Sequence, residues 1–307
     1  MRTILKSADA ALAIVVLAAV VLAACSSGST PTAGDGRIRV VVAENFWGSI
    51  ARQIAGADAV VTSIISKPGA DPHDYEPTPD DARSVAGARI VIENGIGYDP
   101  WMKELVDADA SSSQVVLDVG KLLGVAAGGN PHQWYSRAAV ERVSARVAAD
   151  LEAADPAHRD AYERNQRYFD ETALAQYNAL IATIQRRYAG TPIGASESIA
   201  VPLAATLGLR VLTPAKFLEA VAEGNEPSAS DKATADAQIR KHWIAVLVFN
   251  GQNSTPDVQR LVDEARAARI PVVTITETLT PANATFQSWQ TGELRALAAA
   301  LGRATGR

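Results

Sequence analysis

The fold is decided by Val60-Val61-Thr62-Ser63-Ile64-Ile65 and the run that follows it, Asp71-Pro72-His73-Asp74-Tyr75-Glu76-Pro77-Thr78-Pro79-Asp80-Asp81. The first piece is β-branched and reads as a strand. In the second, Pro72, Pro77 and Pro79 forbid a helix or a central strand, so the strand ends in a stiff loop. His73 follows Pro72, whose φ is fixed. A side chain held this way is pre-positioned, as a metal ligand or a catalytic base must be. The same step returns in Asn130-Pro131-His132-Gln133-Trp134, ahead of a helix start at Ser136. The chain has 4 histidines, and these are the two that follow proline.

Outward from this loop, strands alternate with short helices. Ile38 to Ala43, Val60 to Ile65, Ala88 to Glu93 and Gln114 to Asp118 read as strands in the first half. Pro192 to Ala195, Arg210 to Thr213, Ile244 to Phe249 and Ile270 to Thr276 do so in the second. Such alternation predicts parallel sheets. Between the halves, Ala157 to Ala189 has a helical pattern free of Pro and Gly and stops at Gly190. At the helical rise it would span roughly 50 Å, which suits a stiff connector. The expected fold is α/β, with two four-stranded parallel-sheet lobes bridged by a long rigid α-helix. The lobes are 38–156 and 190–307, and the connecting helix is 157–189.

The N-terminus reads as a targeting segment. Arg2 and Lys6 precede an apolar run, Ala10 to Ala24, that is short for a membrane span. It ends in Leu22-Ala23-Ala24-Cys25, which resembles a bacterial lipobox, and Cys25 is the single cysteine. Residues 1–24 are expected to be a lipoprotein signal peptide and Cys25 the lipidated residue. Residues 25–37, rich in Ser, Gly, Thr and Pro, are expected to be a flexible tether. A net charge of −5 without basic runs argues against a nucleic-acid partner.

In open α/β sheets ligands gather at the carboxyl ends of strands. His73 follows the second strand, Ser196-Glu197 the strand from Pro192, and Glu277 the last strand. His132 stands in a loop before a helix. Two imidazoles and two carboxylates make an N/O set suited to one divalent cation, and without a thiolate soft metals are disfavoured. Glu44, Asn94, Asn250 and Gln252 also follow strands and are candidates to support such a site. His158 reads as surface, and His242, ahead of a buried strand, as structural.

In combination these motifs resemble the zinc- and manganese-binding lipoproteins that feed bacterial ABC importers, the metal-specific cluster of substrate-binding proteins. Asp71-Pro72-His73 with Tyr75-Glu76-Pro77 and Asp80 is the most specific piece. Asn130-Pro131-His132-Gln133-Trp134, Asn94-Gly95 with Trp101, Asn250-Gly251-Gln252 and Ile270-Pro271-Val272-Val273 through Glu277 complete it. The resemblance implies two α/β lobes with the ion between them and His73 and His132 as ligands from the first lobe. It implies Glu197 as the third ligand, where many zinc members have histidine, and a carboxylate after the last strand as the fourth. Many members carry an aspartate there; no aspartate follows residue 263 in this chain, so Glu277 takes the position. The long His-rich loop of many zinc members is missing. A set with two carboxylates tilts the expectation towards manganese or iron, although zinc generally binds such sets more tightly than manganese.

The expected role is extracytoplasmic capture of one divalent ion (manganese, zinc or iron) as cargo, with no organic cofactor and no catalysis. The expected partner is an ABC permease with its cytoplasmic ATPase, served by a monomer anchored to the cell membrane through Cys25. One alternative is a metal-dependent hydrolase using His73, His132 and Glu197, with Glu44 or Asp74 as base. Another is a binding protein for an organic solute, against which 6% aromatic residues argue.

Overall fold

The computed structural model describes residues 36–67, 75–109 and 111–307. Val40 to Ala43 is an unbroken apolar run, as a strand covered on both faces requires. It forms the buried part of β1 (Ile38–Glu44). β1 lies inside a four-stranded sheet of order β2-β1-β3-β4, with β2 Ala59–Ile65, β3 Ile90–Glu93 and β4 Val115–Asp118. Every pairing is parallel, and Val41 stands opposite both Thr62 and Val91. Successive β1 side chains serve different cores. Val40 and Val42 join the main core, while Val41 and Ala43 pack with Val91, Trp101 and Met102 on the other face. That alternation is the period of two in an extended chain.

The second sheet has the same order. β5 (Pro192–Ala195) lies between β6 (Arg210–Val211) and β7 (Val246–Asn250), and β8 (Val272–Ile275) flanks β7. Its pairings are parallel too. Strand order reverses between β1 and β3 in one sheet and between β5 and β7 in the other. The carboxyl ends of these strands carry Glu44, Asn94, Ser196-Glu197 and Asn250, as expected of a topological switch point.

The helices of the first lobe are α1 (Asn45–Ala55), α2 (Pro79–Ala86), α3 (Pro100–Ala108), α4 (Val119–Leu123) and α5 (Arg137–Ala154). Ser136 caps α5 through its side chain, which accepts from Ala139 N. The connector is helical but not one uniform α-helix. A 3-10 turn at Pro156–His158 leads into α6 (Arg159–Tyr168), a π-turn covers Phe169–Ala173, and α7 (Ala175–Tyr188) completes it. The extra residue of a π-turn rotates the following face by about 100°. It brings Phe169 inwards and lets Tyr177, Ile181, Ile184 and Tyr188 line one buried stripe. No Pro or Gly marks this offset in the sequence.

In the second lobe α8 (Ala200–Leu207), α9 (Ala215–Ala222), α10 (Ala229–Arg240), α11 (Pro256–Ala267) and α12 (Phe286–Thr305) surround the sheet. Ile38–Arg307 is one compact unit, and its main core runs from Val40 to Leu301 through both lobes. His158 is on the surface as expected. His242, expected to be structural, is also exposed: it occupies a left-handed turn with φ 50° that delivers the chain into the buried start of the following strand. Ile244, not His242, is the buried residue there.

Candidate metal centre

His132 sits just before a 3-10 turn (Gln133–Tyr135) and is 1% exposed. Trp134 and Tyr98 meet its ring edge-on, at centroid distances of 5.2 and 5.9 Å. Trp134 is fixed in turn by stacking on Phe46 of α1 at 3.9 Å. Asn130 Oδ1 lies 2.9 Å from His132 Nδ1 and 3.0 Å from His132 N. An amide oxygen only accepts, so Nδ1 carries a hydrogen, and the neutral ring of that tautomer presents the Nε2 lone pair that a cation needs. Asn94 secures the segment from behind. Its Oδ1 accepts from Trp47 Nε1 at 2.9 Å, and its Nδ2 donates to Pro131 O at 3.1 Å.

Glu197, at the carboxyl end of β5, is also 1% exposed. Its Oε1 stands 3.5 Å from His132 Nε2 and, among the described residues, has no hydrogen-bond partner. Its Oε2 accepts from Asn250 Nδ2 at 2.6 Å. The same Nδ2 donates to Glu277 Oε1 at 2.7 Å, and Glu277 Oε2 accepts from Tyr98 Oη at 2.7 Å. His132, Glu197 and Glu277 therefore each turn one ligand atom to a common point, all within 4.8 Å of one another. A buried carboxylate oxygen without a donor, beside an imidazole lone pair, asks for a positive charge.

Burial, and then the charge of Glu277, push the Glu197 carboxyl up to about 8. Glu44 is fully buried, and burial followed by the charge of Asp99 raises its carboxyl well above the usual range. Glu93 rises to about 7 and Asp99 to about 6, burial leading in both. Glu44, Asp99 and Glu93 thus form a buried acidic group in the first lobe.

His73 and Cys25 lie outside the described residues. The chain just after His73 is anchored: Tyr75 packs on Trp101 at 4.8 Å and donates to Asp81 Oδ2 at 2.9 Å. Thr78 and Asp81 form a reciprocal cap on α2.

Sequence reasoning passed over Asn130, Tyr98, Tyr135 and Glu293. Asn130 had a signal, since it stands in the Asn-Pro-His motif itself. Glu293, on the face of α12, had none. Tyr135 Oη is 2.8 Å from Thr276 O and 2.7 Å from Glu293 Oε2. The hydroxyl donates to both as a shared hydrogen bond, and burial pushes the Glu293 carboxyl up to about 8. Glu293 Oε1 accepts from Thr276 N and Trp289 Nε1, both at 2.9 Å. The network ties the turn after His132 to the residue before Glu277.

A family model described as ZnuA, zinc-uptake complex component A, periplasmic, matches residues 40–300. The iron-binding protein YfeA of Yersinia pestis is 30% identical over 60% of this chain and 60% of its own length. The manganese ABC transporter substrate-binding lipoprotein PsaA of Streptococcus pneumoniae is 30% identical over 52% of this chain and 56% of its own. Matching thus spans under two thirds of either relative. A periplasmic metal-binding protein of Candidatus Liberibacter asiaticus superposes with a TM-score of 0.72 at 21% identity, over 86% of this chain and 100% of that one. FpvC of Pseudomonas aeruginosa, solved with Ni2+, gives a TM-score of 0.69 at 21% identity over 87% and 97%. The two structures share the fold described above.

Proposed function

Because the chain belongs to the family of periplasmic zinc-uptake component A proteins, we propose that it captures a divalent transition metal ion outside the cytoplasm and delivers it to an ABC permease. The observation that carries this reading is the buried convergence of His132, Glu197 and Glu277 from two lobes on one point. His73, from the proline-stiffened loop, is the proposed fourth ligand. Asn250 holds both carboxylates, Asn94 holds the His132 segment, and Glu44 backs the first lobe. The cargo is manganese, zinc or iron, the ions that two imidazoles and two carboxylates suit.

Capture proceeds by exchange of protons for metal. His132 binds as the neutral ring, and Glu197 must give up its proton. Asn250 holds the two carboxyl groups at 2.6 and 2.7 Å, ready for the cation to take the place of the Glu197 proton. Residues 38–156 and 190–307 are the two halves of the site, joined by 157–189. Residues 1–24 serve as signal peptide, Cys25 as lipid anchor to the cell membrane and 25–37 as tether. The ATPase that drives the permease lies across that membrane, and the chain itself acts as a monomer that catalyses no reaction.

The test is elemental analysis of the purified chain beside His73→Ala/His132→Ala and Glu197→Gln variants. About one manganese, iron or zinc per wild-type chain, lost in the variants, is the expected result. A wild-type chain that takes up none of these ions on titration would sink the reading.

A further inference from the structure

Two kinds of contact join the lobes. Along α1, Asn45, Ser49 and Gln53 recur every four residues and so share a face. Asn45 Oδ1 accepts from Leu279 N at 3.2 Å and Ser49 Oγ from Phe286 N at 2.9 Å. Gln53 and Gln287 exchange amide hydrogen bonds at 3.1 and 2.7 Å. This ladder, with the Tyr135–Glu293–Thr276 network, clamps the first lobe to the segment after β8 and to the first turns of α12.

The other set lies beside the candidate centre: Tyr98 Oη donates to Glu277 Oε2 at 2.7 Å, Ser198 Oγ is 3.4 Å from His132 Nδ1, and Thr206 Oγ1 donates to Tyr135 O at 3.1 Å. Asn130 Nδ2 donates to Ser198 O at 2.7 Å. There the lobes are separated by a cleft of about 370 Å3, with Ile96 and Gly129 in one wall and Val201, Leu218 and Ala222 in the other. Asn130, Pro131 and Ser198 line it too, each within two residues of His132 or Glu197. His132 and Glu197 are almost wholly buried behind them. The Asn130–Ser198 hydrogen bond therefore stands between the cleft and the ligand group, with the 3.4 Å contact of Ser198 Oγ and His132 Nδ1 beside it. The lip carries backbone strain: Ile96, a β-branched residue, has φ 62° between Gly95 at 69° and Gly97 at 87°. Strain of this kind collects at clamps and moving parts.

We infer that this cleft is the doorway of the ion and that Asn130 is its latch. Asn130 is a positioning residue with two arms. Its Oδ1 steers His132 through Nδ1 and N, and its Nδ2 grips the carbonyl next to Glu197. Parting the cleft walls breaks the second arm, and the amide that aims His132 Nε2 at Glu197 Oε1 loses its anchor. Opening the door and loosening the ion thus become one event, while the α1 ladder keeps the lobes together. The inference rests on the metal-capture reading.

The experiment follows Zn2+ exchange on the full chain by stopped flow, with a chromophoric chelator, in wild type, Asn130→Asp and Ala222→Trp. Asn130→Asp keeps an oxygen for His132 and sets an oxygen against Ser198 O. Release is expected to quicken about tenfold, the worth of one lost hydrogen bond, and uptake much less, so that the dissociation constant rises. A merely structural Asn130 would alter uptake and release alike. Ala222→Trp fills the cleft away from the ligands. It is expected to slow uptake and release together, about tenfold each, at an unchanged dissociation constant. Wild-type release from Asn130→Asp overturns the latch, and wild-type exchange in Ala222→Trp overturns the doorway. A wild-type chain that binds no Zn2+ overturns the capture reading and this one with it.

Discussion

Metal uptake by this chain should expel a proton at neutral pH, and the proton should come from Glu197. Its carboxyl is pushed up to about 8 by burial and the charge of Glu277. A group with that value is about nine-tenths protonated at pH 7. A cation needs the carboxylate, so each ion bound near pH 7 should release about one proton, and log K should climb by about one per pH unit towards pH 8. Above that value the climb should flatten. Below about pH 6.5 it should steepen, because imidazoles begin to hold protons as well. The assay is Zn2+ competition against a chelator of known affinity in half-unit steps of pH. Calorimetry in two buffers of different ionisation enthalpy counts the protons. Glu197→Gln retains the shape and the Asn250 contact but has no proton to lose. It should bind more weakly and lose the slope between pH 7 and 8. A wild-type affinity that is flat over that interval with no proton released would refute the reasoning, as would a Glu197→Gln variant that keeps the slope.

Burial also links protons to folding. Glu44, Glu93, Asp99, Glu197 and Glu293 all hold protons more tightly folded than unfolded. Their contribution is complete below the unfolded carboxyl value and is lost as pH rises through the folded ones, about 6 to 8 where a value is defined. Thermal unfolding of the ion-free chain should therefore give a higher Tm at pH 5.5 than at pH 8, with the reverse order counting against the buried-acid picture. Asn250→Ala removes the donor shared by Glu197 and Glu277. It should weaken Zn2+ binding about 10- to 100-fold in the competition titration, as losses behind the ligands do, and an unchanged dissociation constant would dismiss that role. Phe46→Ala opens a cavity against Trp134. Chemical denaturation should report a loss of about 3–5 kcal/mol, and a loss under about 1 kcal/mol would show that the stack does not carry the core there.

Local chemistry made much of this protein legible before any coordinates. The alternation of β-branched runs with amphipathic stretches implied two parallel sheets, because a strand covered on both faces must be apolar throughout and Val40 to Ala43 is. Pro131 and Ser136 fenced the loop that holds His132, and Gly190 ended the connector. Strand ends pointed to Glu197, Glu277, Asn94 and Asn250, since ligands in such sheets collect at the carboxyl edge. Other features had no sequence signal because they depend on residues far apart in the chain. The π-turn at Phe169–Ala173 exists because the faces on either side of it must both meet one core. The Tyr135–Glu293–Thr276 network joins a tyrosine, a carboxyl and a carbonyl that only folding brings within 2.8 Å. Asn130 was visible in its motif, yet its second arm reaches Ser198 across the lobes. Sequence alone pointed to side chains of the chemistry a cation takes and to the strand ends on which Glu197 and Glu277 stand. Tertiary structure decided how they are aimed, buried and protonated, because those properties arise from distances and desolvation between elements that the linear chain does not hold together.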